Sequence, residues 1–302
     1  MDTMVVLAGG GAILLWSGTA IANKVAVAHL DPMTAGITRS LLAGVIAAGY
    51  GAAVRLPLPD TPARWGLLAL SGVACFAVWP MLLSVGLGLT TANHAALVMA
   101  LLPVLTGLIA RGLERRLPRP RWWAGVATAL VGTFALVFHR SGGTLLSEHG
   151  GTAGDLIILG GTFVCALGYV AGGHLSRTIG TAATMSWGLA FALTLLVPAF
   201  LWRAPHTNWG SVGVTGWTAV AYLTLVSSLL GYAAWFWALG RGGIARVGSW
   251  QLAQPVLTVV LAAALLREPV TLPLALSAAA IVAGTAIAQR QNVPNASRGG
   301  NR

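Results

Sequence analysis

The sequence predicts an all-α membrane protein, with ten transmembrane helices forming two five-helix inverted repeats around a central cavity. Three observations carry this. The chain is 56% hydrophobic and only 8% charged, with a mean hydropathy of +0.79, whereas a soluble domain carries about 25% charged residues. Ten apolar runs are each close to the roughly 20 residues a spanning helix needs. Finally, Pro103-Val104-Leu105-Thr106 returns as Pro255-Val256-Leu257-Thr258. The same offset of 152 residues (103 to 255) carries Trp65 onto Trp217 and Gly132-Thr133 onto Gly284-Thr285.

The runs cover 4–23, 34–54, 66–88, 92–112, 122–139, 154–173, 181–202, 215–239, 245–266 and 270–288. Met1-Asp2-Thr3-Met4 lacks the basic start of a cleavable signal, so the first run reads as a retained helix. Very short turns separate the third run from the fourth and the ninth from the tenth, which makes each pair an antiparallel hairpin. Residues 140–153, rich in Gly and Ser, read as a linker between a first repeat over 1–139 and a second over 154–288. The polar stretch 289–302 reads as a disordered cytoplasmic tail.

Thirteen arginines, among them Arg55, Arg115, Arg241 and Arg290, fall on the side of the N-terminus. Only Lys24, Arg140, Arg203 and Arg267 fall on the other. Lys and Arg concentrate in cytoplasmic loops, so both termini are expected in the cytoplasm of a multi-pass inner (plasma) membrane protein. The net charge of +11 therefore sets topology and does not point to a nucleic-acid partner. An odd number of helices per half turns the second half upside down. Inverted repeats of this kind are a recurrent plan of secondary transporters, with substrate near the midplane. Two such repeats can complete a pathway within a monomer.

Chemistry is sparse at depth. No acidic residue lies deep in a span, which argues against a carboxylate proton relay and against a strongly cationic substrate. His94, near an end of the fourth run, could relay protons or simply sit in the interface. Arg39, inside the second run, is either a functional charge or a side chain snorkelling to the outer surface. Cys75 and Cys165 lie in apolar runs as small hydrophobes. No phosphate loop and no metal-spaced Cys/His cluster appears, and the histidines lie away from the deep serines, so no cofactor, metal or enzymatic activity is expected. Of the tryptophans, Trp65, Trp122, Trp123, Trp202, Trp209 and Trp217 read as an interfacial belt that Trp235 and Trp237 extend. Trp16 and Trp79 lie near the centres of their runs. Gln251 and Gln254 share a helix face and must look into a cavity or across to another helix. Gln251 is the repeat mate of Met99. Gly168 and Gly172 permit close helix approach. Pro103 and Pro255 remove symmetric hydrogen bonds and could hinge opposing gates.

Thr38-Arg39-Ser40-Leu41-Leu42-Ala43, the repeated Pro-Val-Leu-Thr, Leu266-Arg267-Glu268-Pro269 and the paired Gly-Thr together resemble the EamA-type branch of the drug/metabolite transporter superfamily. Glu114, without a following proline, is the weaker counterpart of Glu268. The overall likeness is greatest to the YddG-type exporters of amino acids. The resemblance implies a basket of helices around a central cavity, with helices five and ten side by side at the rear, and neutral or zwitterionic small-molecule substrates moving outward. The expected cavity wall is Trp16, Ser17, Trp79, Met99, Phe163, Ser228, Tyr232, Gln251 and Gln254.

Overall fold

The computed structural model describes residues 2–90, 98–99, 101–113, 120–140, 151–254, 256–257 and 272–289. Among them every regular element is helical. In chain order these are α1 (Thr3–Ser17), α2 (Thr19–His29), α3 (Pro32–Ala53), α4 (Pro62–Gly72), α5 (Trp79–Leu89) and α6 (Leu102–Leu113). There follow α7 (Pro120–Arg140), α8 (Gly151–Ser176), α9 (Thr181–Arg203), α10 (Gly213–Ala221), α11 (Tyr232–Gly242), α12 (Ile244–Gly248) and α13 (Leu272–Gln289). Residues 141–150 of the expected linker, 290–302 of the expected tail, His94, Glu114, Pro255 and Leu266 to Pro269 lie outside the described residues, whereas Arg140, residues 151–153 and Gln289 are helical.

Helix starts are set locally. Asp2, Asp31 and Thr61 each accept a hydrogen bond from the main-chain N–H two or three residues ahead, which satisfies a donor that the first turn leaves open. Pro32 and Pro62 occupy the first turns of α3 and α4, where a missing N–H costs nothing. The first run does not end at residue 23 as expected. It breaks at Gly18 and resumes as α2, so Lys24 lies within a helix and not in an outer loop. Tyr222 causes the break: its hydroxyl donates to the Leu15 carbonyl at 2.7 Å. A Cβ at position 18 would stand 2.4 Å from that same oxygen, and a side chain inserted into the hydrogen-bond ladder is a recognised source of kinks.

Two other runs change helix type midway. A π-helical segment over Val73–Val78 joins α4 to α5, and another over Tyr222–Gly231 joins α10 to α11. Moved by 152, the first becomes 225–230 and falls inside the second. Packing repeats at the same spacing. Gly132 meets Ile281 and Gly284 meets Ala129, and 281 and 284 are 129 and 132 moved by 152. Gly125 meets Gly284 while Gly132 meets Ser277, another exchange of the same kind. Thus α7 and α13 touch through a contact that reads alike from either side. The pairing of α5 with α8 is matched likewise by that of α1 with α11.

Among the described residues, four continuous helices are long and apolar enough to cross a membrane: Pro62–Leu89, Ala153–Ser176, Thr181–His206 and Gly213–Gly242. Thr3–Ser17, Leu102–Leu113 and Ala275–Ala288 are shorter apolar helices. Large apolar side chains such as Leu7, Val45, Leu156, Leu201 and Val214 face outward. So much exposed hydrocarbon suits lipid and not water. Gly168 and Gly172 bring α8 against the neighbouring run: a Cβ on either would lie within 2.6 Å of Cys75 Sγ, Phe236 or Ser71.

The antiparallel pair α3 and α9 is tied at one end by an ion pair between Asp31 and Arg203. Burial alone would raise the Asp31 carboxyl, but hydrogen bonds from the Thr34 amide and hydroxyl and the Arg203 guanidinium outweigh it and hold it below 3.8. A depressed carboxylate contributes stability above its unfolded value that is lost as pH falls through the folded one. The pair is partly exposed, so Asp31→Asn, which keeps a capping side chain, is expected to cost under about 1 kcal/mol. Asp31→Ala loses the cap as well and is expected to cost about 1–2 kcal/mol at pH 7. Thermal unfolding in detergent should show that gap closing only below pH 3.8. A gap independent of pH would mean that the carboxylate plays no part.

Candidate functional site

The site grows from Trp16, in the last turn of α1. Its ring lies 6.1 Å from Tyr169 and nearly parallel to it, 5.1 Å from Tyr232 and 5.3 Å from Trp235. Its indole N–H donates to the Ser227 carbonyl at 2.9 Å, which pins α1 to the second π-helical segment. Phe76, from the first π-helical segment, closes on Tyr232 at 4.7 Å. The Tyr232 hydroxyl donates to the Cys75 carbonyl at 3.2 Å. The box therefore draws rings from α1 and the first π-helical segment in one half, and from α8 and α11 in the other. Aromatic pairs in such edge and stacked geometries each contribute about 0.5–1.5 kcal/mol beyond area burial.

Polar groups gather along one side. Gln251 approaches the Tyr169 hydroxyl with its amide nitrogen at 3.5 Å, and its carbonyl oxygen has no partner among the described residues. The indole N–H of Trp235 and that of Trp250 are also buried and unpartnered among them. Buried polar atoms are nearly always satisfied, so the orphaned Gln251 carbonyl and Trp235 N–H at one aromatic box mark a place where a solute can bind. On the other flank, Arg39 of α3 donates to the Ser228 hydroxyl at 3.4 Å, while Thr224 donates to the Arg39 carbonyl at 3.3 Å. Thr19 donates to Ser227 at 3.0 Å. Hydroxyls of the second π-helical segment thus meet both α2 and α3.

The structure brings Trp16, Tyr232, Ser228 and Gln251 into this assembly. Gln254 and Met99 are half-buried, and Met99 packs against the apolar core that holds Trp16 and Tyr232. Ser17 is buried, but its hydroxyl donates to the Ile13 carbonyl of its own helix at 2.8 Å. Trp79 is buried against Gly161 of α8. Phe163 is 48% exposed and shares its stripe with Leu156, Leu159 and Gly160, the outward face of α8, so it is not on the wall. Arg39 does not snorkel; it is 4% exposed and points into the protein. Pro103 sits in the first turn of α6, just after a turn at Leu101 that separates α6 from the helical residues 98 and 99, and there its ring fits without losing a bond within α6.

Three members were missed in the sequence. Tyr169 and Phe76 carry no local mark of their role. Trp235 was expected at the interface but is completely buried; its spacing with Tyr232 and Phe236, three and four residues along one helix, was the available signal. Trp122 also leaves the expected belt, being buried against Gly107. Trp65, Trp123, Trp202 and Trp217 stay exposed.

Comparison with known proteins decides the class. The sequence matches the EamA-like transporter family over residues 3–138 and again over 152–289. The chain belongs to this family. Among relatives of this EamA-like transporter is the uncharacterized transporter YdeK of Bacillus subtilis, 34% identical over 284 residues, covering 92% of this chain and 94% of that one. Another is the uncharacterized inner membrane transporter YedA of Escherichia coli K12, 27% identical, covering 82% and 78%. A solved crystal structure superimposes with a TM-score of 0.76 at 24% identity, over 96% of this chain and 98% of that chain, and so shares the fold. The protein is a membrane transporter of the drug/metabolite superfamily and not an enzyme.

Proposed function

We propose that this EamA-like transporter exports neutral or zwitterionic small metabolites, amino acids including aromatic ones foremost, by alternating access. The observation that carries the reading is the aromatic box between the halves, with the Gln251 carbonyl and Trp235 N–H, unpaired among the described residues, at its edge. Rings accept varied apolar side chains, and the polar edge holds an ammonium or carboxylate. The ten spans form two inverted five-helix repeats in the inner (plasma) membrane, with both termini cytoplasmic and the pathway complete in a monomer. The reciprocal contact of α7 with α13 and the matched π-helical segments support that plan. A π-helical turn is a frequent feature of functional sites, and each half places one beside the box. The acidic side chains described, Asp2, Asp31, Asp60 and Asp155, lie in a loop or in the opening turns of helices, so transport proceeds without an intramembrane carboxylate.

The test is uptake of a labelled amino-acid panel into proteoliposomes of the purified protein, with and without a proton gradient. Saturable uptake indifferent to the gradient is expected. Absence of uptake for the whole panel would remove the substrate assignment, and gradient-driven uptake would remove the uncoupled mechanism.

A further inference from the structure

We infer that Arg39 binds the carboxylate of the transported molecule. The inference deepens the exporter reading and rests on it for the place of the site. A guanidinium carries five N–H donors in a planar fork, yet Arg39 makes a single side-chain hydrogen bond among the described residues, to Ser228. Its Nε is fully buried and unpartnered among them. None of the four described acids reaches it: Asp2 and Asp31 cap helices, Asp60 pairs with Arg64, and Asp155 accepts from Thr90. A buried charge without a partner is strongly unfavourable. Such a charge persists where a bound group completes it.

The surroundings narrow the chemistry of that group. Arg39 lies seven residues into α3, roughly 10 Å along the helix axis, in a hydrocarbon layer about 30 Å thick. Its partner Ser228 lies one helical turn before Tyr232 on the same continuous run, and Tyr232 belongs to the aromatic box. Ser228 accepts from Arg39, which leaves its own O–H, without an acceptor among the described residues, to donate toward the same ligand. One cation and one hydroxyl match a planar monoanion, and the guanidinium fork suits the two oxygens of a carboxylate. A phosphate dianion would find only half its charge opposed. The two partners come from opposite halves, Arg39 on α3 and Ser228 on the second π-helical segment, so the carboxylate bridges the surface along which the halves must move.

The experiment measures thermal stabilisation of the purified full-length protein by four probes: 3-phenylpropionate, L-phenylalanine, L-phenylalaninamide and 2-phenylethylamine. Both acids should stabilise the wild type and the two non-acids should not. R39Q should weaken binding of the acids about 100-fold, and R39K should fall between. Without any probe, R39M should unfold no lower than the wild type, because it removes an unopposed charge. A structural arginine would give the opposite, a protein that unfolds early. The inference is overturned if the amide or amine binds as tightly as the acids, if R39Q binds the acids unchanged, if neither acid binds, or if R39M is strongly destabilised. Binding of 3-phenylpropionate but not L-phenylalanine through Arg39 would retain the anchor and remove the amino-acid reading. Saturable amino-acid uptake with an indifferent R39Q would do the reverse.

Discussion

Gly284→Val is expected to abolish a stable fold. A Cβ at position 284 would lie 2.4 Å from the Ala129 nitrogen and 2.5 Å from the Gly125 carbonyl oxygen of α7. Both obstacles are backbone, so no side chain can rotate away and the two helices must separate. Between helices in lipid, attraction comes mostly from close packing of small residues. Overpacking elsewhere costs typically about 1–3 kcal/mol; here the whole contact opens, and a loss at or above the top of that range is expected. The reciprocal variant Gly125→Val should behave alike, since its Cβ would lie 2.4 Å from the Ala288 nitrogen. Gly10→Ala supplies the control, because nothing lies within 4 Å of a Cβ there. The readout is the monodisperse fraction after heating in detergent. If Gly284→Val survives heating as the wild type does, the helices do not approach this closely.

Trp16→Ala should nearly eliminate transport and also weaken the fold. The indole touches three rings and holds the Ser227 carbonyl, and truncating a buried tryptophan to alanine costs about 3–5 kcal/mol. Trp16→Phe separates the two effects. It keeps a ring in the stack but leaves the Ser227 carbonyl without its donor, a loss of about 1 kcal/mol. The expected result is a folded protein whose KM for a transported amino acid rises about fivefold, with little change in maximal rate. An unchanged KM in Trp16→Phe, with Trp16→Ala still folded and active, would place the solute elsewhere.

These two variants show where sequence reading succeeds and where it stops. Gly284 is visible as half of a repeated Gly-Thr pair, because duplication copies the small residues that a close contact requires. The helix starts at Asp31-Pro32 and Thr61-Pro62 are equally local. Trp16 was marked by its central place in an apolar run. Its partner Tyr169 was not, and although spacing groups Trp235 with Tyr232 and Phe236 on one helix, it does not say which rings will meet across the two halves.

By itself the sequence determined that this is a membrane protein, duplicated at a spacing of 152 residues and with no acid near the middle of its apolar runs. Those properties follow from composition and from repetition, which act residue by residue. Tertiary structure alone decided that Phe163 faces outward, that Arg39 is buried, that Trp235 leaves the interface and that α1 breaks where Tyr222 enters. The reason is the solvent. In water an apolar stripe separates core from surface, but in lipid both the packed and the exposed faces of a helix are apolar. Direction around each helix is then set only by what packs against it.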